Sequence, residues 1–266
     1  MAKQSIFIKK QDLLILIIFP VLSTAISLAL KTNFLVTSLL FFAVPSLYFA
    51  ARNPRIFLKT SIFSLIFSVP ITFIFDYLLV VDNAWHIVTT VFPYRLFNVV
   101  ALEQFVFSFF CIYFMISVYE QFFDRKNRYS KNKPLPQLMR IFAAVTFLIV
   151  SIIIGLIFTK PSLLIIPYAY TILGVTICAI PAVMFLHRYP HLFIRFVKIA
   201  IYFLLLALLV EYVGLKLNHW NFPGQNYLSK INFFGFSIPL EEFLFYFVLS
   251  TPGVLSYYEF FDDDRK

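Results

Sequence analysis

Long apolar runs, separated by short polar breaks, fill nearly the whole chain. A helix needs about 20 mostly apolar residues to cross the hydrocarbon of a bilayer. Eight runs approach or exceed that length: Leu13–Leu30, Phe34–Ala51, Ile56–Val81, Val99–Tyr119, Ile141–Thr159, Ser162–Leu186, Leu192–Leu217 and Ile238–Tyr258. The seventh is the least uniform, with Arg195 and Lys198 near its start and Glu211 and Lys216 near its end. The first follows Lys9 and Lys10. It is long for the apolar core of a signal peptide and lacks a small-x-small cleavage site, so it reads as a span. The pattern predicts an all-α membrane protein of about eight transmembrane helices.

Composition agrees. The chain is 61% hydrophobic and 13% charged, against about 25% charged in soluble domains. A net charge of +9 raises the question of nucleic acid, but its distribution answers it. If the N-terminus is cytoplasmic, 17 of the 22 Lys and Arg fall on that side. They lie in the N-terminal tail (Lys3, Lys9, Lys10), after the second span (Arg52, Arg55, Lys59), in the central connection, after the sixth span (Arg188, Arg195, Lys198) and in the closing Arg265-Lys266. Lys31, Arg95, Lys160, Lys216 and Lys230 remain outside. This asymmetry predicts a multi-pass protein of the cell membrane with both termini inside, and no nucleic-acid partner.

The sequence also repeats. Asp76-Tyr77, Asn83-Ala84-Trp85 and Ala101-Leu102-Glu103-Gln104-Phe105-Val106-Phe107 recur as Glu211-Tyr212, Asn218-His219-Trp220 and Pro239-Leu240-Glu241-Glu242-Phe243-Leu244-Phe245. Val44-Pro45 matches Ile180-Pro181, Arg52-x-Pro54-x-x-Phe57 matches Arg188-x-Pro190-x-x-Phe193, and Tyr119-Glu120 matches Tyr258-Glu259. Four spans per copy give both copies the same orientation, a parallel duplication about an axis along the membrane normal. The predicted organisation is a first membrane repeat over 1–123, a basic cytoplasmic linker over 124–140 and a second repeat over 141–266.

Acids in or beside membrane spans are costly and usually functional. Glu103, Glu241 and Glu242 open the fourth and eighth spans, while Asp76 and Glu211 close the third and seventh. The topology places all five at similar depth. The plainer readings are a helix start with acids complementing its dipole, and interfacial acids reaching back to water. Trp85 and Trp220 read either as interfacial anchors or as cavity walls. Asn83 and Asn218 read as carboxyl partners or turn formers. His86 and His219 adjoin the Trp residues as possible proton relays. His187 and His191 are separated by Pro190 and make a poor metal pair; Cys111 and Cys178 lie in apolar runs and form no framework. No phosphate-binding glycine loop, zinc motif or nucleophile elbow is present. Six scattered glycines disfavour a classical flavin site, and the paired-aspartate magnesium motif of membrane prenyltransferases is missing. No metal and no cofactor are predicted.

Pro239-Leu240-Glu241-Glu242-Phe243-Leu244-Phe245, preceded by Trp220 and Glu211, resembles the lycopene cyclase domain family, integral-membrane carotenoid cyclases that occur as two small subunits or one fused chain. The duplication matches the fused form. The resemblance covers roughly the last two spans of each half. It implies ring closure at the ends of a lycopene-type polyene, an intramolecular isomerisation without net redox change. Its motif carboxylates fall on Glu241 and Glu242 and, in the first copy, on Glu103. There Ala101 replaces the Pro and Gln104 the second Glu.

The chemistry suits the residues. A dehydrated carboxylic acid can protonate an unactivated double bond, and a neighbouring base can recover a proton after ring closure. The expected donor is Glu241 or Glu242, with Glu103 as partner acid. Asp76, Glu211, Gln104, Asn83 and Asn218 are expected to support it, and Trp85, Trp220, Phe243, Phe245, Phe105 and Phe107 to line the substrate site. Expected partners are membrane lipid, an apolar polyene drawn from the bilayer and other carotenoid enzymes. The alternatives are an end-group hydratase or isomerase, a proton-coupled small-molecule transporter, and a membrane scaffold.

Overall fold

A computed structural model describes residues 2–123 and 137–261. They form an all-α membrane protein in which seven helices are long and apolar enough to cross a bilayer. The first half comprises α1 (Ala2–Leu30), α2 (Phe34–Ser38), a π-helical segment (Leu39–Ala43), α3 (Val44–Arg52), α4 (Pro54–Val81) and α5 (Leu102–Phe122). The second comprises α6 (Gln137–Thr159), α7 (Ala169–Leu173), a π segment (Gly174–Ala179), α8 (Ile180–Arg188), α9 (Phe193–Lys216), a third π segment (Glu242–Leu249) and α10 (Ser250–Phe261). The eighth expected span, Ile238–Tyr258, is not one of the seven, although the chain there is helical from 242 to 261 in π and then α geometry.

The same local chemistry shapes both halves. Pro45 and Pro181 lack an N–H and crowd the carbonyl four residues back. Just before each, the helix widens to i→i+5 bonding: the Val44 N–H reaches the Leu39 carbonyl and the Ile180 N–H reaches that of Val175. Asn53 and Tyr189 then leave the helical region, with φ of -137° and -126° and ψ of 69° and 63°, because the proline after each disfavours helical geometry. The following long helices end alike. Asn83 and Asn218 adopt left-handed φ of 58° and 57°. The next N–H, of Ala84 and His219, returns to the Leu79 and Gly214 carbonyls, both at 2.8 Å. This is a helix stop of the Schellman type. Both asparagines therefore make turns.

Packing crosses between the halves. α1 lies against α9, and α6 against α4. α5 packs on α3 and α4, while α10 packs on α8 and α9; α5 and α10 meet in the middle. At one end, β1 (His86–Ile87) pairs antiparallel with β4 (Trp220–Asn221), with His86 facing Asn221. At the other, the Tyr119 and Tyr258 rings meet edge to face at 6.4 Å. Each contact joins a residue to its own counterpart in the repeat, as happens along a two-fold axis.

Several boundaries differ from expectation. α1 starts well before Leu13 and α6 before Ile141, because the polar residues there extend the helix. Of the expected linker 124–140, residues 137–140 belong to α6 and the rest lie outside the described residues, as does Arg265-Lys266. The sixth run opens with a 3₁₀ turn, Pro161–Leu164, and becomes α-helical only at Ala169, after Tyr168 with φ of 59°. Connections read as plain loops also contain two hairpins. One is β2 (Arg95–Leu96) with β3 (Val100–Ala101); the other is β5 (Lys230–Phe233) with β6 (Phe236–Pro239). Pro239 ends a strand opposite Lys230 instead of occupying a first helical turn. It suits that edge because it has no N–H to give.

Candidate functional site

α4, α5, α9 and the last helical run enclose a cavity of about 260 Å³. Its walls are mostly apolar and aromatic. The acids and amide among them are Asp76, Gln104, Glu211 and Glu242, accompanied by Trp85 and Trp220. The repeat thus brings these six expected residues together.

Glu103 and Glu241 take another course. Both are fully buried, and neither lines the cavity. Glu103 Oε1 accepts the backbone N–H groups of Val91 and Phe92, the latter at 2.8 Å. Glu241 Oε1 accepts the Leu228 N–H at 2.6 Å and the Thr171 hydroxyl at 2.7 Å. Each carboxyl pins the loop that precedes its own helix. The next residue points about 100° further round, which carries Gln104 and Glu242 into the cavity. The expected catalytic trio is therefore divided, with one acid facing the chamber and two tying down loops.

Glu242 Oε2 accepts a hydrogen bond from the Tyr170 hydroxyl. The Tyr170 ring stacks on Tyr246 at 4.8 Å with 28° between planes, and both rings face the cavity. Glu211 lies near enough to Glu242 for their charges to interact. Its Oε1 accepts the indole N–H of Trp220 at 3.1 Å. Gly214 makes that possible, since a Cβ there would fall 2.1 Å from the Trp220 ring. Phe34 braces the other side of the indole, edge to face at 5.8 Å. In the first half the position of Gly214 is held by Leu79, and the position of Tyr170 by Phe34, at the offsets set by Asp76/Glu211 and Val44/Ile180.

The aromatic lining differs from expectation. Phe107 is in the wall; Phe105, Phe243 and Phe245 are not. α5 keeps α geometry, so residues 104, 107, 108, 111, 112 and 115 share its inner face. From Glu242 the i→i+5 ladder adds a residue per turn, and the inner face becomes 242, 246, 247, 250 and 254. Tyr246 and Phe247 therefore take the places expected of Phe243 and Phe245. The Phe245 ring instead packs on Gly174, where a Cβ would fall 2.5 Å away. Tyr170 was missed altogether; carrying the Val44/Ile180 offset back to Phe34 would have located it.

Above the cavity, His219 Nε2 lies 3.1 Å from the Thr37 hydroxyl. Burial lowers its pKa to about 4, so the ring is neutral and unsuited to carrying a positive charge at neutral pH. His86, opposite Asn221 in the β1–β4 ladder, does not line the cavity.

Comparison with protein-family models, curated proteins and solved structures returns no match.

Proposed function

We propose that the protein is a cell-membrane cyclase of lycopene-type polyenes, built from two same-orientation repeats of four spans each with both termini in the cytoplasm. The observation carrying this reading is that two carboxyl groups, Glu242 and Glu211, line the same aromatic cavity inside a membrane bundle. Two carboxyl groups at such a site supply an acid and a base without a cofactor. The matched helix stops, the matched π segments and the contacts between counterpart residues support the duplication.

The chain's residues divide the work as follows. Glu242, in its acid form, gives its proton to the terminal double bond of the polyene and leaves a tertiary cation. The hydrogen bond from Tyr170 stabilises the carboxylate that remains, which makes Glu242 a stronger donor. The next double bond along the chain attacks the cation, forming the ring carbon–carbon bond and moving the charge into the ring. Glu211 removes a ring proton, a new double bond forms, and the proton returns to Glu242. Atoms and electrons balance, because the product is an isomer of the substrate. Tyr246, Phe247 and Phe107 present π faces to the cation, each worth about 2 kcal/mol when desolvated. The apolar walls keep out water, which would otherwise trap the cation as an alcohol.

The size of the cavity suits this role. Pockets for drug-sized ligands span roughly 300–1,000 Å³. At about 260 Å³ the chamber admits one end group of a long polyene, leaving the remainder among the lipids. Expression in a lycopene-accumulating host tests the proposal. Products of unchanged mass with a shifted absorption spectrum are expected. Products heavier by one water would identify a hydratase instead. Unaltered pigment beside correctly inserted protein would refute the enzyme reading, and solute flux in proteoliposomes would then favour a transporter.

A further inference from the structure

The cavity is built from two related halves, and Asp76 faces it as the counterpart of Glu211, but the first half has no carboxyl at the place of Glu242. Gln104 occupies in the first half the place of Glu242, and Phe34 that of Tyr170. Both first-half residues line the same chamber as their counterparts. An amide has no acidic proton to give, and a phenyl ring has no hydroxyl with which to orient a carboxyl group. We infer that the chain has a single proton-donating centre, the Tyr170–Glu242 pair, in which Tyr170 is a positioning residue, and that the Phe34–Gln104 wall binds the end group without donating to it.

Two further observations support this division. Gln104 is buried and lines the chamber, and its Oε1 has no hydrogen-bond partner. It shapes the end-group site without titrating. Gly214 allows the indole N–H of Trp220 to meet Glu211 only in the second half, because the counterpart is Leu79. Donor, positioning phenol, second carboxyl and its indole support therefore all come from residues after 160. A polyene with two open ends would be processed one end at a time, and after the first ring closed it would have to leave and return reversed to close the second.

The inference rests on the cyclase reading for its substrate but not for its geometry, so two measurements separate them. With purified protein and micellar lycopene, Glu242→Gln should lose at least 100-fold in kcat. Tyr170→Phe should lose about tenfold or more, as expected for a hydrogen bond to a charged group, and should shift the alkaline limb of the pH profile, where the donor loses its proton. Gln104→Leu should keep kcat within about threefold and raise KM. The second measurement is infrared spectroscopy of the carboxyl C=O stretch, read without substrate. The band that vanishes in Glu242→Gln should move to higher frequency in Tyr170→Phe and stay in place in Gln104→Leu. If Gln104→Leu cost as much kcat as Glu242→Gln, with insertion intact, the single-centre inference would be overturned. So would an infrared band indifferent to Tyr170→Phe. If the wild-type protein converts no polyene, the cyclase reading fails, and the infrared shift alone decides whether Tyr170 orients Glu242.

Discussion

The two halves share a framework and differ in chemistry. Both widen before a proline, stop a long helix on a left-handed asparagine and send a glutamate back to pin the preceding loop. The differences gather at the cavity: Phe34 against Tyr170, Leu79 against Gly214, Gln104 against Glu242. Residues that hold backbone conformation are thus kept in both copies, whereas the chamber-facing set is mixed: Asp76/Glu211 and Trp85/Trp220 match, and the three pairs above diverge. A carboxyl common to both copies can therefore serve either role, since Glu103 and Glu241 hold loops and Asp76 and Glu211 face the cavity.

The sharpest way to break this comparison is to exchange the roles of neighbouring glutamates. Glu242→Gln is expected to abolish turnover, with a loss between about 10²- and 10⁴-fold, while leaving the melting temperature nearly unchanged. Glu241→Gln should do the reverse, retaining an acceptor but weakening the hold on Leu228 and Thr171. Activity assays and thermal unfolding in detergent, run on both variants, check the contrast.

Packing provides the next largest effect. Gly214→Ala sets a methyl group against the Trp220 indole and is expected to cost about 1–3 kcal/mol through overpacking. It should also turn the indole N–H away from Glu211. Leu79→Ala, at the counterpart position, opens space and should leave that hydrogen bond intact. Tryptophan fluorescence and unfolding curves distinguish the two.

Loop pinning should then be symmetric. Glu103→Ala and Glu241→Ala each remove the carboxyl that part-buried backbone donors use, and each is expected to destabilise by about 1–3 kcal/mol. Hydrogen exchange should show faster amide exchange at residues 91 and 92 in the first variant and at residue 228 in the second. Loss in only one of them would show that the halves are not mechanically equivalent.

The smallest effect concerns pH. His219 has its pKa lowered from 6.5 to about 4 by burial, and its counterpart is Ala84. Protonation therefore favours the unfolded chain. The penalty is absent above pH 6.5, grows as the pH falls toward 4 and then levels off. His219→Gln should flatten that portion of the stability profile, as followed by unfolding midpoints between pH 7 and 4.

Much of the fold was legible in the sequence because membrane spans are specified by length and apolarity, both of which survive without tertiary context. The helix stops were legible too, since an Asn two residues before a Trp recurs at a constant offset. The orientation of side chains within the last span was not. It depends on an i→i+5 ladder from Glu242, and nothing in a run of Phe, Leu and Tyr distinguishes π from α winding. Phe243 and Phe245 are candidates for the wall only as aromatics trailing Glu241-Glu242, and in the wider turn Tyr246 and Phe247 of the same aromatic run face the cavity instead. The short hairpins escaped for a related reason: their turns place Phe97, Asn98 and Phe234 at positive φ, and two of those three are residues that rarely announce such a turn.

The crossed docking of α1 on α9 and of α6 on α4 has its own implication for biogenesis. During synthesis, the first half emerges with the α9-facing side of α1 uncovered, and the second half alone leaves the α4-facing side of α6 uncovered. Severed between residues 123 and 137, the polypeptide should yield two fragments that are each degraded when produced alone and rescued when produced together.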